Sequence, residues 1–312
     1  QLHVEFGSYQ DETFFGDSRN HKKYSAVFVD EVQDYTTEWL RIIMQNFLLE
    51  PNGELVVFGD PKQNVYQRPL DTNGDIRLGV IGGQWNRQLT TSRRFTNPRL
   101  ANLATAFQAQ FMANLPSDDI TTENIMSNTF NFQILTYIDM RQNNTTDALV
   151  SNIITIISND SNEARDFVVL ASSTKLLRNI DTLYRQRTNE QTEITFISTE
   201  ALEKLKQIHN VSDERAANWK FNRDFEALDR TRKQLFTTEK RCLKISTIQS
   251  FKGWESPSVI VILESDFALH NTTFRPMSPQ TIYTAITRAR ENMYIINIGN
   301  DTYHNFFYNQ AL

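Results

Sequence analysis

A chain of 312 residues, 39% hydrophobic and 22% charged, has room for two ordinary domains with a real core, which excludes wholesale disorder. Its net charge of −5 excludes a globally positive field, so any nucleic-acid contact has to use a local basic groove.

Residues 1–24 are polar and mixed, and no element is assigned to them. The chain opens on Gln1, not Met, so its natural N-terminus is expected upstream and the lack of a targeting signal carries no weight. From Tyr24 the pattern becomes strand, helix, strand. Ala26–Val29 reads as a short buried strand and Glu38–Leu49 as a helix; Leu55–Phe58 reads as a second strand, after a turn at Asn52-Gly53. Such alternation predicts parallel sheets flanked by helices. Pro69–Gln84, rich in Gly, Asp and Asn, reads as a linker or surface loop. Asn97–Met112 reads as a helix, with Pro98 suited to its first turn. Strands are expected at Phe132–Tyr137 and Phe167–Leu170, with helices at Asp147–Ile157 and Ser173–Arg187. The longest apolar stretch, around Val150–Ile157, is far too short to span a bilayer, so no membrane is expected. Glu190–Arg241 is charged and mostly helical in pattern, and reads as an insertion or peripheral subdomain. Cys242, the only cysteine, excludes an internal disulfide and fits a reducing, cytoplasmic compartment. Beside an expected strand it reads as core filler. Leu243–Thr247, Ser258–Leu263 and Met293–Ile298 are β-rich, and Pro279–Arg290 reads as the helix before the last of them. The sum is an α/β chain of two units, 1–88 and 89–312, the second carrying a small insertion around 190–241.

Five blocks carry candidate chemistry. The strand Ala26–Val29 ends on Asp30-Glu31. In open α/β sheets, ligands bind beyond the carboxyl ends of the strands. An Asp there can hold the Mg²⁺ of a nucleotide, usually through water. A neighbouring Glu can orient the attacking water, the division of labour that phosphoryl transfer needs. The plain alternative is a solvated helix start with Asp34 as its N-cap. The second strand ends on Gly59-Asp60-Pro61-Lys62-Gln63. Gln63 is neutral and both donates and accepts, which suits a sensor of a terminal phosphate; the alternative is a turn with a surface Gln. Arg93-Arg94, just before a helix, offers forked, permanently charged donors to phosphate, or is a surface basic pair. Ile245–Glu255 leads from a strand into a hydroxyl- and amide-rich loop that can present N–H groups to a phosphodiester backbone, or is an ordinary polar connection. In Tyr283–Arg290, Arg288 and Arg290 point differently on a helix and so have different tasks; the alternative is a basic helix end facing its own dipole.

Taken in order, these blocks resemble motifs II to VI of superfamily 1 DNA helicases of the UvrD/Rep type. Asp30-Glu31-Val32-Gln33-Asp34 resembles the Walker B motif II, Gly59 to Gln63 motif III, Leu89 to Arg94 motif IV, Thr247 to Glu255 motif V and Tyr283 to Arg290 motif VI. The resemblance spans Tyr24 to Ile298. It implies two RecA-like domains, the first incomplete, with ATP and Mg²⁺ between them in the intact protein. By resemblance, Asp30 holds the metal and Glu31 is the catalytic base, while Gln63 couples the γ-phosphate to the DNA site. Arg94 and Arg288 reach the γ-phosphate, and Arg93, Gly253 and Glu255 lie near the nucleotide. Tyr66, Arg68, Thr247 and Gln249 face single-stranded or partly duplex DNA.

The sequence also departs from the family. Motif I, the P-loop G-x-x-x-x-G-K-[ST], is absent, and no Gly-Lys dipeptide occurs anywhere. Residues before the Walker B strand are too few to hold motifs I, Ia and Ib. The chain is therefore expected to be the C-terminal part of such a helicase, silent as an ATPase by itself and partnered by the missing N-terminal region. The alternative is a natural, non-hydrolysing nucleic-acid-binding or scaffold protein derived from a helicase. A nuclease-coupled helicase would need a domain outside this chain. Losing the P-loop strand should also leave apolar surface uncovered in residues 1–88. Smaller departures are Arg68 in the place of motif III's stacking aromatic, Arg93 in that of motif IV's Tyr, and Gln249 where His is common. The stretch Phe95–Lys244 is too short for the family's full helical insertion.

Overall fold

In the computed structural model, which describes residues 22–79, 85, 95–115, 134–212, 218–265 and 275–311, the chain divides into two units. Unit 1 draws its residues from Gln1–Thr91 and Gln108–Asp119, and unit 2 from Ser92–Phe107 and Ile120–Leu312. The boundary expected near residue 88 lies outside the described residues.

Unit 1 holds β1 (Ala26–Val29), α1 (Thr37–Phe47) and β2 (Glu54–Val57). The two strands pair in parallel, Ala26 opposite Glu54 and Val29 opposite Val57. Pleating sends alternate side chains to opposite faces. Val27, Val29, Leu55 and Val57 pack into a core with Val32, Leu40 and Ile76. Phe28 points the other way and is 68% exposed. The expectation of a buried first strand is corrected here: one face of β1 is covered and the other is not. A parallel sheet ordinarily needs layers on both faces, and two strands make a marginal sheet. α1 is capped by Thr36, whose Oγ1 accepts from the Trp39 N–H at 3.4 Å. Asp34 is not the cap; it closes the 3-10 turn Val32–Asp34.

Unit 2 is built on one parallel sheet. Its elements are α2 (Pro98–Phe111, in this unit through Phe107), β3 (Leu135–Asp139), α3 (Thr146–Asn159), β4 (Phe167–Ala171), α4 (Thr174–Thr188), β5 (Thr192–Ile194), α5 (Thr199–His209), α6 (Trp219–Leu235), β6 (Leu243–Thr247), β7 (Ser256–Leu263), α7 (Pro279–Ile286), β8 (Ala289–Asn297) and α8 (His304–Ala311). The strand order is β3-β8-β7-β4-β6-β5, every pair parallel. Short polar side chains start the helices: Thr145, Ser173, Ser198, Asn218 and Ser278 each accept from a first-turn N–H. All of β4 is buried, as a central strand covered on both faces must be. Phe167, Val169, Ile245 and Ile260 pack against Leu149, Val150 and Ile153 of α3 and Leu177 and Ile180 of α4. The architecture is α/β, a six-stranded parallel sheet flanked by helices, consistent with a RecA-like fold.

Several elements differ from the sequence expectations. The stretch 190–241 begins with β5, an edge strand of the main sheet, before its helices α5 and α6. Thr192 anchors that edge by donating its hydroxyl to the buried Asp181 carboxylate. The helix expected over Pro279–Arg290 stops at Ile286, because Ala289 already pairs with Ser256. Sheet pairing overrides the helical pattern there, which places Arg288 in a turn and Arg290 in a strand. α8 carried no expectation; it docks Phe306 and Phe307 on Phe107 of α2, with ring centroids 5.4 and 6.0 Å apart. The third strand starts at Leu135; Phe132 and Gln133 lie outside the described residues. Among the described residues, no helix is long and apolar enough to cross a membrane.

Candidate functional site

In unit 1 the ends of β1 and β2 are held side by side beyond the strands themselves. Phe58 N–H donates to Val29 O at 2.8 Å, and Val32 N–H donates to Phe58 O at 2.9 Å. A chain of polar contacts then runs across both ends. Glu31 N–H donates to Asp30 Oδ1 at 2.8 Å. Gln33 Nε2 donates to Glu31 Oε2 at 2.5 Å, and Gln33 Oε1 accepts from the Asp60 N–H at 3.1 Å. Asp60 caps the next 3-10 turn, Oδ1 accepting from Lys62 N–H at 2.9 Å, while Oδ2 accepts from Gln63 Nε2 at 3.0 Å. The structure thus brings Asp30, Glu31 and Gln63 into one network, through two residues that were given no role from sequence. Gln33 is wholly buried, so its amide has to be satisfied on both ends, and it is. The usable signal was an uncharged amide set between the acids Glu31 and Asp34; for Asp60 it was the Asp-Pro cap pattern.

Glu31 sits in the left-handed region at φ 53°, which an L side chain adopts at a cost of about 1 kcal/mol or more. That turn sends Glu31 back toward Gln33 and leaves Asp30 exposed at the strand end. Gly59 allows the close approach of the two strand ends. A Cβ there would lie 2.6 Å from Ile76 Cδ1, 2.7 Å from Gln33 Oε1 and 2.8 Å from Val32 Cγ1.

Farther along, Asn64 clamps the loop that carries Tyr66 and Arg68. Its Nδ2 donates to Arg68 O and its Oδ1 accepts from Arg68 N–H, both at 2.8 Å. Tyr66 is 46% exposed, available for a stacking contact. Desolvation of its hydroxyl, and then the Asp34 charge, hold its pKa above the ordinary value. Arg68 Nε is buried with no hydrogen-bond partner among the described residues.

In unit 2, Thr247 ends β6 at the carboxyl edge of the sheet, and Ile248 N–H extends the ladder to Ala171 O at 3.0 Å. Thr247 Oγ1 accepts from Ser250 N–H at 3.1 Å, closing a turn that leaves Thr247 and Gln249 half-buried. Phe251 is fully buried and meets Phe236 edge-on at 6.1 Å, fixing the loop from below. Gly253 is exposed at φ 87°, and a Cβ would meet nothing within 4 Å there, so glycine serves the backbone conformation, not packing. Glu255 is half-buried, just before β7.

Arg288 is 1% exposed. Its Nε donates to Thr284 O at 3.0 Å, one Nη to Trp254 O at 3.3 Å and the other to Thr287 Oγ1 at 2.8 Å. Ser256 N–H in turn donates to Arg288 O at 3.0 Å. The structure therefore joins Arg288 to the Gly253–Glu255 segment at the amino edge of the sheet. It does not bring Arg288 to Thr247 and Gln249. By the strand register those lie level with Ile262 and Ile296, roughly 25 Å along the strands. Arg93 and Arg94 lie outside the described residues. The chain just after them is pinned to the same edge as Arg288: Thr96 N–H donates to Arg290 O at 3.1 Å, and Asn97 Nδ2 to Glu291 O at 2.6 Å.

The donor set at Asp30 fits a Mg²⁺–nucleotide complex, because Mg²⁺ takes one or two carboxylates and fills its shell with water and phosphate. Among the described residues no group of three or more His, Cys, Asp or Glu side chains forms a closed cage. The phosphate cradle is a different matter, since the sequence contains no P-loop.

No protein-family model matches this chain, and no curated protein matches it. Among solved structures it is similar to one described as the C-terminal domain of a possible DNA helicase from Lactobacillus plantarum WCFS1. The identity is 13%, over 67% of this chain and 89% of that one, with a TM-score of 0.37.

Proposed function

We propose that this chain is the motif II to VI part of an ATP-dependent DNA helicase or translocase of the UvrD/Rep type. The observation that carries this is the hydrogen-bond chain from Asp30-Glu31 through Gln33 and Asp60 to Gln63. It supports a reading in which a metal-and-base pair is linked to a phosphate sensor, a link that a coincidental pair of acids would not need. In this reading Asp30 holds Mg²⁺ and Glu31 orients water. Gln63 relays the state of the site to the loop of Tyr66 and Arg68. Arg288 and Arg94 complete the charge, with Arg93, Gly253 and Glu255 around the nucleotide. Bound ATP would supply the phosphoryl bond whose cleavage drives movement. Thr247 and Gln249 contact single-stranded DNA at the opposite edge of the second sheet. The missing P-loop favours one rival specifically, a non-hydrolysing nucleic-acid-binding or scaffold protein.

The helicase reading, like a nucleic-acid-binding rival, requires DNA binding at the β6 loop. A fluorescein-labelled oligo-dT titrated at low salt should bind the chain, and Thr247→Ala with Gln249→Ala should weaken it about tenfold, as expected for two lost hydrogen bonds to a charged backbone. Unchanged affinity in the double variant would remove the loop from the DNA site.

A further inference from the structure

The helices α5 and α6 form a small satellite of unit 2 with a core of their own, Ile197, Leu202, Leu205 and Phe221, flanked by Ala201, Val211 and Phe225. α6 spends its inward stripe on that core, Phe221 and Phe225 being one turn apart. Its outward face has a different composition. At 3.6 residues per turn, Trp219, Lys220, Arg223, Ala227, Arg230 and Gln234 fall on one side of the helix, and all six are exposed. Trp219 is 66% exposed. Lys220 Nζ lies 5.7 Å and the Arg223 guanidinium 5.4 Å from the ring centroid of Trp219. Of the three acids on α6, Asp224 is held by His209 and Arg223, and Asp229 by Lys233. Glu226 borders the face. In a chain of net charge −5, this is a local strip of three cations, Arg223 among them shared with Asp224, beside a large exposed ring that two of them overlie.

We propose that this outer face of α6 is a contact for single-stranded nucleic acid, with Trp219 stacking on a base and Lys220, Arg223 and Arg230 neutralising phosphates. The inference rests on the nucleic-acid reading above and extends it to a surface outside the five motif blocks. An aromatic platform beside a line of cations is the combination that binds single strands without regard to sequence. The strip rises about 22 Å from Trp219 to Gln234 at 1.5 Å per residue, long enough to follow several nucleotides. An acidic protein segment would use the cations but would gain little from an exposed indole. Single-stranded nucleic acid uses both.

The test titrates oligo-dT against the chain, the Trp219→Ala and Trp219→Phe variants, and the triple variant Lys220→Ala, Arg223→Ala, Arg230→Ala. All the changes are on an exposed face, and circular dichroism with a melting curve checks that each variant folds. Trp219→Ala should bind about tenfold more weakly, while Trp219→Phe keeps most of the affinity, because any aromatic face can stack. The triple variant should flatten the slope of log K against log salt by about 2, since each lost phosphate contact removes roughly 0.7 in single strands. Wild-type binding left unchanged by both Trp219→Ala and the triple variant would overturn this proposal and leave the β6 loop as the DNA site. Competition by polyglutamate that matches oligo-dT of equal charge would also overturn it, in favour of an acidic protein partner. No binding by the wild-type chain would overturn the nucleic-acid reading itself, and this site with it.

Discussion

Arg288→Ala is expected to lower the melting temperature of unit 2 by about 10 °C. The guanidinium is 1% exposed and satisfies Thr284 O, Trp254 O and Thr287 Oγ1. Removing it takes a charged donor from three acceptors, of which Thr284 O keeps the Thr287 hydroxyl, and leaves a void beside β8. Lost hydrogen bonds from a charged donor cost about 1.5–3 kcal/mol, and the cavity adds to that. A total of about 3 kcal/mol in a domain of this size corresponds to a shift of that order. Arg288→Lys keeps the charge but presents one ammonium where a planar fork stood, so it should recover only part of the loss. Scanning calorimetry of the two variants decides it. A melting temperature within about 2 °C of wild type for Arg288→Ala would mean that the bonds to Trp254 and Thr284 contribute nothing net. The same side chain is proposed to act on a phosphate. Stability and function are separated by asking whether Arg288→Lys, once shown to be folded, still supports the chemistry.

The second large effect is expected in unit 1. Gly59→Val should destabilise that unit by about 3 kcal/mol and Gly59→Ala by about half as much, in the range that overpacking costs. The first added carbon already lies within 2.8 Å of Ile76, Gln33 and Val32. To make room, Gln33 has to move, and its Oε1 is the acceptor for Asp60 N–H. The network linking Glu31 to Gln63 would part at its centre. Hydrogen exchange of the amides of Val32, Phe58 and Asp60 reads this locally. Faster exchange confined to them is the expected result, and wild-type protection in Gly59→Val would show that the strand ends are not packed this closely.

Much of the fold was legible because a parallel sheet writes its central strands as unbroken apolar runs. Phe167–Leu170 and Val259–Leu263 were readable for that reason. What escaped were elements whose existence depends on a distant partner. β5 is polar and becomes a strand only because β6 offers an edge. α7 ends early because Ala289 finds Ser256. Phe28 looked like core, but whether a strand is covered on its second face is not written in the strand. At the site, the side chains expected to do chemistry were visible as types. Gln33 was not, because an amide that bridges two loops has no pattern of its own. The separation of Thr247 from Arg288 to opposite edges of the sheet follows from strand order, which no local pattern encodes.

The most direct measurement is steady-state ATP hydrolysis, with and without single-stranded DNA, by this chain alone and, where its gene encodes residues before Gln1, by the longer protein. The expected result is no turnover by the 312 residues alone, and DNA-stimulated turnover by the longer protein that Glu31→Gln abolishes. Hydrolysis by the highly purified chain alone would contradict the need for a P-loop supplied from outside it. A longer protein that carries a P-loop, binds DNA and stays silent would contradict the motor itself.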